Sequence, residues 1–232
     1  MVRGKNNTIY AKLQRKWIKL RLQPIRVFCL HHVCEQFDSD AMYTCDWMAL
    51  DEFKQKINIL RDDGYQFISI TDAYEHLKKD RFRRKKYAVL TFDDGYKSLK
   101  EVLPWLEEQK IPATLFINGK YLDGKSYRET PNEHYLTYDE LFLLTNPLIE
   151  IGHHGWEHIA VTEMTEAEFV KSLEKNIEVL SKHPRYIPFW AYTWGRHNKQ
   201  NDAFLRSNGI IPVLVEGNKN YKWVGSIDRE ML

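Results

Sequence analysis

The sequence predicts an α/β fold with parallel strands, and three observations carry that expectation. Short apolar runs alternate with amphipathic stretches along most of the chain, the arrangement of repeated βαβ units. Roughly seven such runs occur, which suits a closed barrel better than a small open sheet, although an open doubly wound sheet fits the same alternation. The length of 232 residues, with 43% apolar and 13% aromatic side chains, is enough for one large domain with its own core.

Residues 1–24 form a basic leader with Arg3, Lys5, Lys12, Arg15, Lys16, Lys19 and Arg21 and no acidic residue. Tyr10, Leu13, Trp17 and Leu20 recur three and four apart, so a helix here would gather them on one face. Two readings stay open: an amphipathic helix lying on an anionic membrane surface, and a helix that packs on the main domain or frays in solvent. The leader lacks the continuous apolar stretch of a secretory signal, and no segment reads as a bilayer span. A cytoplasmic location is therefore the default expectation, with a single domain over 25–232.

Ile25 to Leu30 reads as a strand. Phe53, Ile57 and Leu60 mark a helix that stops at Gly64. A strand over 67–70 and a helix over 72–79 follow, then a strongly apolar strand over 87–92. Leu99, Leu103 and Leu106 mark the next helix, with Pro112 beyond its end, and Ala113 to Ile117 is another strand. Thr137 with Glu140, and Thr165 with Glu168, have the spacing of capping boxes that open helices. Between them lies a short strand over 148–151; Phe169, Leu173, Ile177 and Leu180 carry the second of these helices. Strands over 187–191 and 211–215 complete the pattern.

Charge is nearly balanced, with a formal net charge of +2, and gives no reason to expect nucleic-acid binding. No glycine-rich phosphate loop occurs. The run Lys78, Lys79, Arg81, Arg83, Arg84, Lys85 and Lys86 reads as a solvated loop, or as a contact for an acidic polymer or membrane. Cys29, Cys34 and Cys45 are odd in number and follow no zinc spacing, so buried thiols are expected rather than disulfides.

Chemically capable residues collect just past strand ends: His31 and His32, Asp93 and Asp94, His153, His154 and His158, then Trp194 and Gly195. In a barrel these ends share one rim, where catalytic groups gather. His154 and His158 stand four apart, a spacing that puts both on one face of a helical turn. Two imidazoles and one carboxylate can hold a zinc ion with positions left for water, and Asp93 or Asp94 could supply the carboxylate. On an extended segment the two aspartates would point different ways, one to the cation and one to its water, with Gly95 permitting a sharp turn.

Thr91-Phe92-Asp93-Asp94-Gly95-Tyr96 resembles the first motif of the polysaccharide deacetylases, carbohydrate esterase family 4, and His154-x-x-x-His158 resembles their second. The stretches 53–65, 70–77 and 111–116 are similar as well, so the resemblance covers roughly 25–230. It implies a distorted (β/α)7 barrel with one divalent metal, most often Zn2+. Carried over, Asp93 is the general base, and Asp94, His154 and His158 are the metal ligands. The third motif departs: Ala191-Tyr192-Thr193-Trp194-Gly195 has Ala191 where many members carry an arginine that orients the base. It is closer to an Ala-Tyr-Pro-Tyr-Gly subgroup. Trp194 would still offer a backbone N–H to the oxyanion and an indole face to a sugar; Tyr96 and Tyr192 are further candidate substrate contacts. No histidine follows His197, so the family's C-terminal histidine strand is absent. The segment from Val27 to His32 resembles that strand, and also the opening strand of exopolysaccharide deacetylases with a permuted barrel. His31 is thus expected to protonate the leaving amine, with His32 next in line; an imidazole suits that transfer near neutral pH.

The function this implies is hydrolysis of acetyl groups on N-acetylated hexosamine units of a polysaccharide or glycan. A non-catalytic glycan-binding protein on the same fold, or an O-acetyl esterase, are the alternatives; the lost arginine favours the first of these.

Overall fold

The computed structural model describes residues 23–36, 47–79, 85–123 and 135–232. Along the chain these form β1 (Ile25–Leu30), β2 (His32–Cys34), β3 (Trp47–Ala49), α1 (Leu50–Asp62), β4 (Tyr65–Phe67), α2 (Ile70–Lys79), β5 (Lys86–Phe92), α3 (Leu99–Glu108) and β6 (Ala113–Ile117). Then come α4 (Tyr138–Phe142), β7 (Ile149–His153), α5 (Glu166–Leu180), β8 (Tyr186–Ala191), α6 (Lys199–Ser207), β9 (Ile211–Leu214), β10 (Ile227–Asp228) and β11 (Glu230–Met231).

The main sheet runs β10-β9-β8-β7-β6-β5-β1-β11, and its pairs are parallel. The two ends of that path are consecutive in the chain, with only Arg229 between them. One extended segment therefore pairs Ile227 with Val213 on β9, then Glu230 with Phe28 on β1, and joins the two edges of the sheet. Counted once, it makes seven staves, as a (β/α)7 barrel requires; β4 pairs with β5 as a short extra strand.

Strand alternation sorts the apolar side chains into two layers. Ile25, Val27, Tyr87, Val89, Phe116, Phe189, Val213 and Ile227 cluster inside the ring, with Ile70, Ala73 and Leu77 of α2 closing it below. The intervening residues Phe28, Leu30, Leu90, Phe92, Leu115 and Ile117 face outward under Phe53 and Ile57 of α1 and Val102 and Leu106 of α3. The inward register continues upward through Cys29 on β1 and His31 just past its end, and through Thr91 on β5 and Asp93 just past its end. Apolar layers thus give way to polar ones at the C-terminal rim.

Both capping boxes form as the spacing predicts: Thr137 accepts from Glu140 N–H and Thr165 from Glu168 N–H, with the glutamates reaching back. The strand expected over 67–70 lies earlier, and Ile70 already opens α2, because its side chain is needed in the barrel floor. The β2–β3 pair, α6 and the two-residue strands β10 and β11 have no clear signal in the sequence. Residues 1–22, Cys45 and the arginines 81, 83 and 84 lie outside the described residues. Cys29 and Cys34 are buried free thiols. Among the described residues, no helix is long and apolar enough to cross a membrane.

Candidate active site

Three ligand-type side chains converge at the rim. Oδ1 of Asp94 lies 3.0 Å from His158 Nε2 and 3.4 Å from His154 Nε2. Two ligands about 2.0–2.1 Å from one tetrahedral ion stand roughly 3.3 Å apart, so the spacing is that of a mononuclear site. His154 Nδ1 lies 2.9 Å from the carbonyl oxygen of Ala191. A carbonyl only accepts, so Nδ1 carries the proton and Nε2 presents a lone pair towards Asp94. Burial keeps this imidazole below its ordinary pKa, against the pull of Asp93 and Asp94. Asp94 Oδ1 is buried with no aligned hydrogen-bond donor. A ring nitrogen and a carboxylate facing each other in a buried site are held together by a proton or a cation between them, and the set of two imidazoles and one carboxylate fits a divalent metal.

The backbone is bent to bring these groups together. Asp94, His158 and Trp194 have positive φ of 69°, 54° and 59°, as only Lys110 does among the other described non-glycine residues. Each such residue costs roughly 1–2 kcal/mol, and such strain concentrates at functional sites. Asp93 and Asp94 part through this left-handed turn rather than through strand alternation. His154 and His158 are likewise held by a loop, not by the helical turn their spacing suggested. Gly155, at φ 89°, helps bend that loop. Asn118 Nδ2 donates to the His154 carbonyl at 2.7 Å, and Thr193 Oγ1 donates to the same oxygen at 2.8 Å.

Asp93 belongs to a second set. Arg229, fully buried on the closing segment, grips it with two hydrogen bonds, Nη1 to Oδ1 at 2.6 Å and Nη2 to Oδ2 at 2.8 Å. Burial by itself would raise the Asp93 pKa, but Arg229 and then His154 hold it down at about 2. Asp93 is therefore ionised at neutral pH. Oδ2 also accepts from the Cys29 thiol at 3.5 Å and lies 3.8 Å from His154 Nε2. His31 completes this group, with a ring nitrogen within 4.8 Å of the Cys29 sulfur and an Asp93 oxygen.

These residues line an open cleft of about 250 Å³, with Trp194, Tyr192 and Met231 in its walls. A drug-sized ligand needs about 300 Å³ or more, so the cleft has room for only part of such a molecule. A hollow of equal volume beneath Trp156 and Lys175 contains neither histidine nor aspartate, so chemistry and not volume singles out the site. The Trp194 indole is 56% exposed and lies 4.9 Å from the His158 ring. Tyr192 reaches the wall, but its hydroxyl donates to Asp202. Tyr96 does not line this cleft. It is buried between His32 at 3.8 Å and Tyr135 at 5.1 Å, close enough to Asp94 for that carboxylate to raise its phenol pKa. The structure therefore does not bring Tyr96 to the cleft wall where a substrate contact is expected. His32 faces Ser98, 3.1 Å from Nδ1 to Oγ. His153 points away, its Nε2 against the Tyr186 hydroxyl at 2.9 Å.

Residues 80–213, more than half of the chain, match the polysaccharide deacetylase family. The chain belongs to that family. A poly-beta-1,6-N-acetyl-D-glucosamine N-deacetylase of Escherichia coli (strain K12) is 26% identical over 136 residues, 55% of this chain and 20% of that protein. YxkH of Bacillus subtilis (strain 168) is 26% identical over 154 residues, 64% of this chain and 51% of that protein. The chain thus spans about half the length of the second and a fifth of the first. IcaB from Ammonifex degensii has the same fold, with a TM-score of 0.76 at 18% identity over 91% of this chain and 93% of that one.

Arg229 is a site residue of this family member that sequence reasoning misses. It stands between Asp228 and Glu230, a charged triplet that reads as solvent-exposed. Its one signal is indirect: with Ala191 in the third motif, Asp93 needs a cation from elsewhere. Ala191 keeps a role through its carbonyl, which orients His154.

Proposed function

We propose that this polysaccharide deacetylase is a metal-dependent hydrolase that removes acetyl groups from N-acetylated hexosamine units of a polysaccharide or glycan. One observation carries the reading: Asp94, His154 and His158 converge on a single point with Asp93, gripped by Arg229, beside it. The three converging side chains would hold the ion, with zinc the first to test. Such an ion, when bound, supplies a Lewis acid for the acetyl carbonyl and makes water a nucleophile near neutral pH.

The chain's own groups would do the rest. Asp93, ionised and fixed by two guanidinium bonds, would accept the proton of the attacking water at Oδ2, the oxygen nearer His154. Arg229 would keep that carboxylate aimed. His31, on the same wall, would deliver a proton to the leaving amine, and the Trp194 N–H would face the developing oxyanion. The exposed Trp194 indole offers a flat face to a sugar ring. The case for a non-catalytic binder rests on the missing third-motif arginine and the unusual C-terminus, and Arg229, in that C-terminal segment, offers Asp93 a guanidinium instead.

The test is acetate release from β-1,6- and β-1,4-linked N-acetylglucosamine oligomers by metal-stripped protein reloaded with zinc, cobalt or nickel. O-acetylated sugars run beside them distinguish an esterase. Acetate is expected only from loaded protein, and Asp93→Asn should abolish it with the ion retained. Full metal occupancy without acetate from any substrate overturns the reading.

A further inference from the structure

Beside the set that would hold the catalytic ion lies another group of ligand atoms: Cys29 Sγ, a ring nitrogen of His31 and a carboxylate oxygen of Asp93, all within 4.8 Å of one another. We infer that these three residues form a second, weaker site for a thiophilic divalent cation, and that its occupancy shuts the enzyme off. The inhibitory half of this statement rests on the function proposed above; the binding half does not.

Spacing and chemistry favour it. A tetrahedral ion about 2.3 Å from a sulfur and 2.0 Å from an oxygen holds the two roughly 3.5 Å apart. Cys29 Sγ and Asp93 Oδ2 stand 3.5 Å apart already. His31 is less buried than the other two, just past the end of β1, and its ring nitrogen lies within 4.8 Å of both partner atoms, so it can complete a three-ligand set. All three residues line the open cleft, so an ion can enter from solvent. Thiolate, imidazole and carboxylate together select zinc, cadmium or cobalt over magnesium or calcium. Binding exchanges the thiol proton, released to solvent, for the cation.

Electrostatics make this the weaker site. Arg229 already neutralises Asp93, and a cation between Asp94, His154 and His158 would repel a second one nearby. The first site therefore fills first, and the second fills only in excess metal. When it does, Asp93 and His31 are both engaged as ligands and neither can move a proton.

The experiment is a titration of metal-stripped full-length protein with Co2+, read by near-ultraviolet thiolate-to-cobalt charge-transfer absorption, and with Zn2+, read by bound-metal content. Wild type should bind two equivalents, with the thiolate band appearing as the second is added. Cys29→Ser and Cys29→Ala should each bind one equivalent and lose the band. His154→Ala, which removes a ligand of the other set, should keep it; this variant reports on the site even if a Cys29 variant folds poorly. In acetate release, excess zinc should inhibit wild type and not Cys29→Ser. A single equivalent without a thiolate band in wild type overturns the inference, as does a band that survives in both Cys29 variants. If the band behaves as expected but loaded protein releases no acetate, the second site stands and the proposed function fails.

Discussion

The floor of the cleft has two halves that are built differently. Asp94, His154 and His158 come from two short loops inside the span shared with the family, and each loop carries its own signature. Asp93 is contacted by Cys29 from the first strand and gripped by Arg229 from the closing segment, with His31 close by, all three outside that span. In the first half, local turns with positive φ do the gathering. In the second, closure of the barrel does it: the segment that joins the sheet edges also delivers the guanidinium. On the roles proposed above, ion binding would be encoded by local sequence, whereas proton transfer would depend on the seam being closed.

The sharpest way to break the comparison is to disable each half separately. His154→Ala should lose the ion and, with several kcal/mol of Lewis-acid stabilisation gone, about 10³-fold or more in kcat/KM. Asp93→Asn should lose activity by about 10²–10⁴-fold while metal content stays full. Metal analysis beside acetate release tests both. If Asp93→Asn empties the ion site, the two halves are one unit and the distinction fails.

Arg229 probes the seam. Arg229→Met leaves the Asp93 carboxylate buried without its partner, which typically costs about 3–5 kcal/mol. For a domain of this size that is a fall in Tm of very roughly 6–20 °C. Arg229→Lys should recover only part of the loss, because an ammonium cannot reproduce the two-pronged grip. Thermal melts check this, and a melt unchanged in Arg229→Met would show that the pair does not hold the barrel shut.

The same division explains what was legible in the sequence. Asp93, Asp94, His154 and His158 were readable because each pair lies within a few residues and ends a periodic strand. His31 was readable from its strand-end position. Arg229 was not, since nothing in Asp228-Arg229-Glu230 distinguishes a buried guanidinium from a solvated one; only its pairing with β1 and β9 does. Tyr96 was assigned to substrate because it follows the aspartates, yet the turn at Asp94 and Gly95 carries it under the site. The helical reading of His154 and His158 failed for a similar reason: spacing fixes the separation of two side chains, but Asn118 and Thr193 shape the loop between them.

Tyr96 sharpens the account of the ion half with a smaller effect. Burial first, then Asp94 and Tyr135, push its phenol pKa up, so the hydroxyl keeps its proton beside Asp94 at working pH. Tyr96→Phe should weaken metal affinity by about tenfold, the low end for removing a hydrogen bond behind a ligand. Competition with a chelator measures it; equal affinity would reduce Tyr96 to packing between His32 and Tyr135.

The smallest effect is the control on the other half. Arg196 also pairs with a carboxylate, Glu163, but its side chain is 59% exposed and that of Glu163 55%. Water competes for both partners there, and holding two long side chains in one geometry costs rotamer freedom. Arg196→Ala should therefore change stability by no more than about 1 kcal/mol. Arg229 is buried and holds its carboxylate with two hydrogen bonds, whereas Arg196 is exposed and uses one, so burial and two-pronged geometry together separate the pairs. A loss at Arg196 as large as at Arg229 would mean that charge pairing around the rim, rather than the desolvated grip on Asp93 at the seam, holds this end of the barrel together.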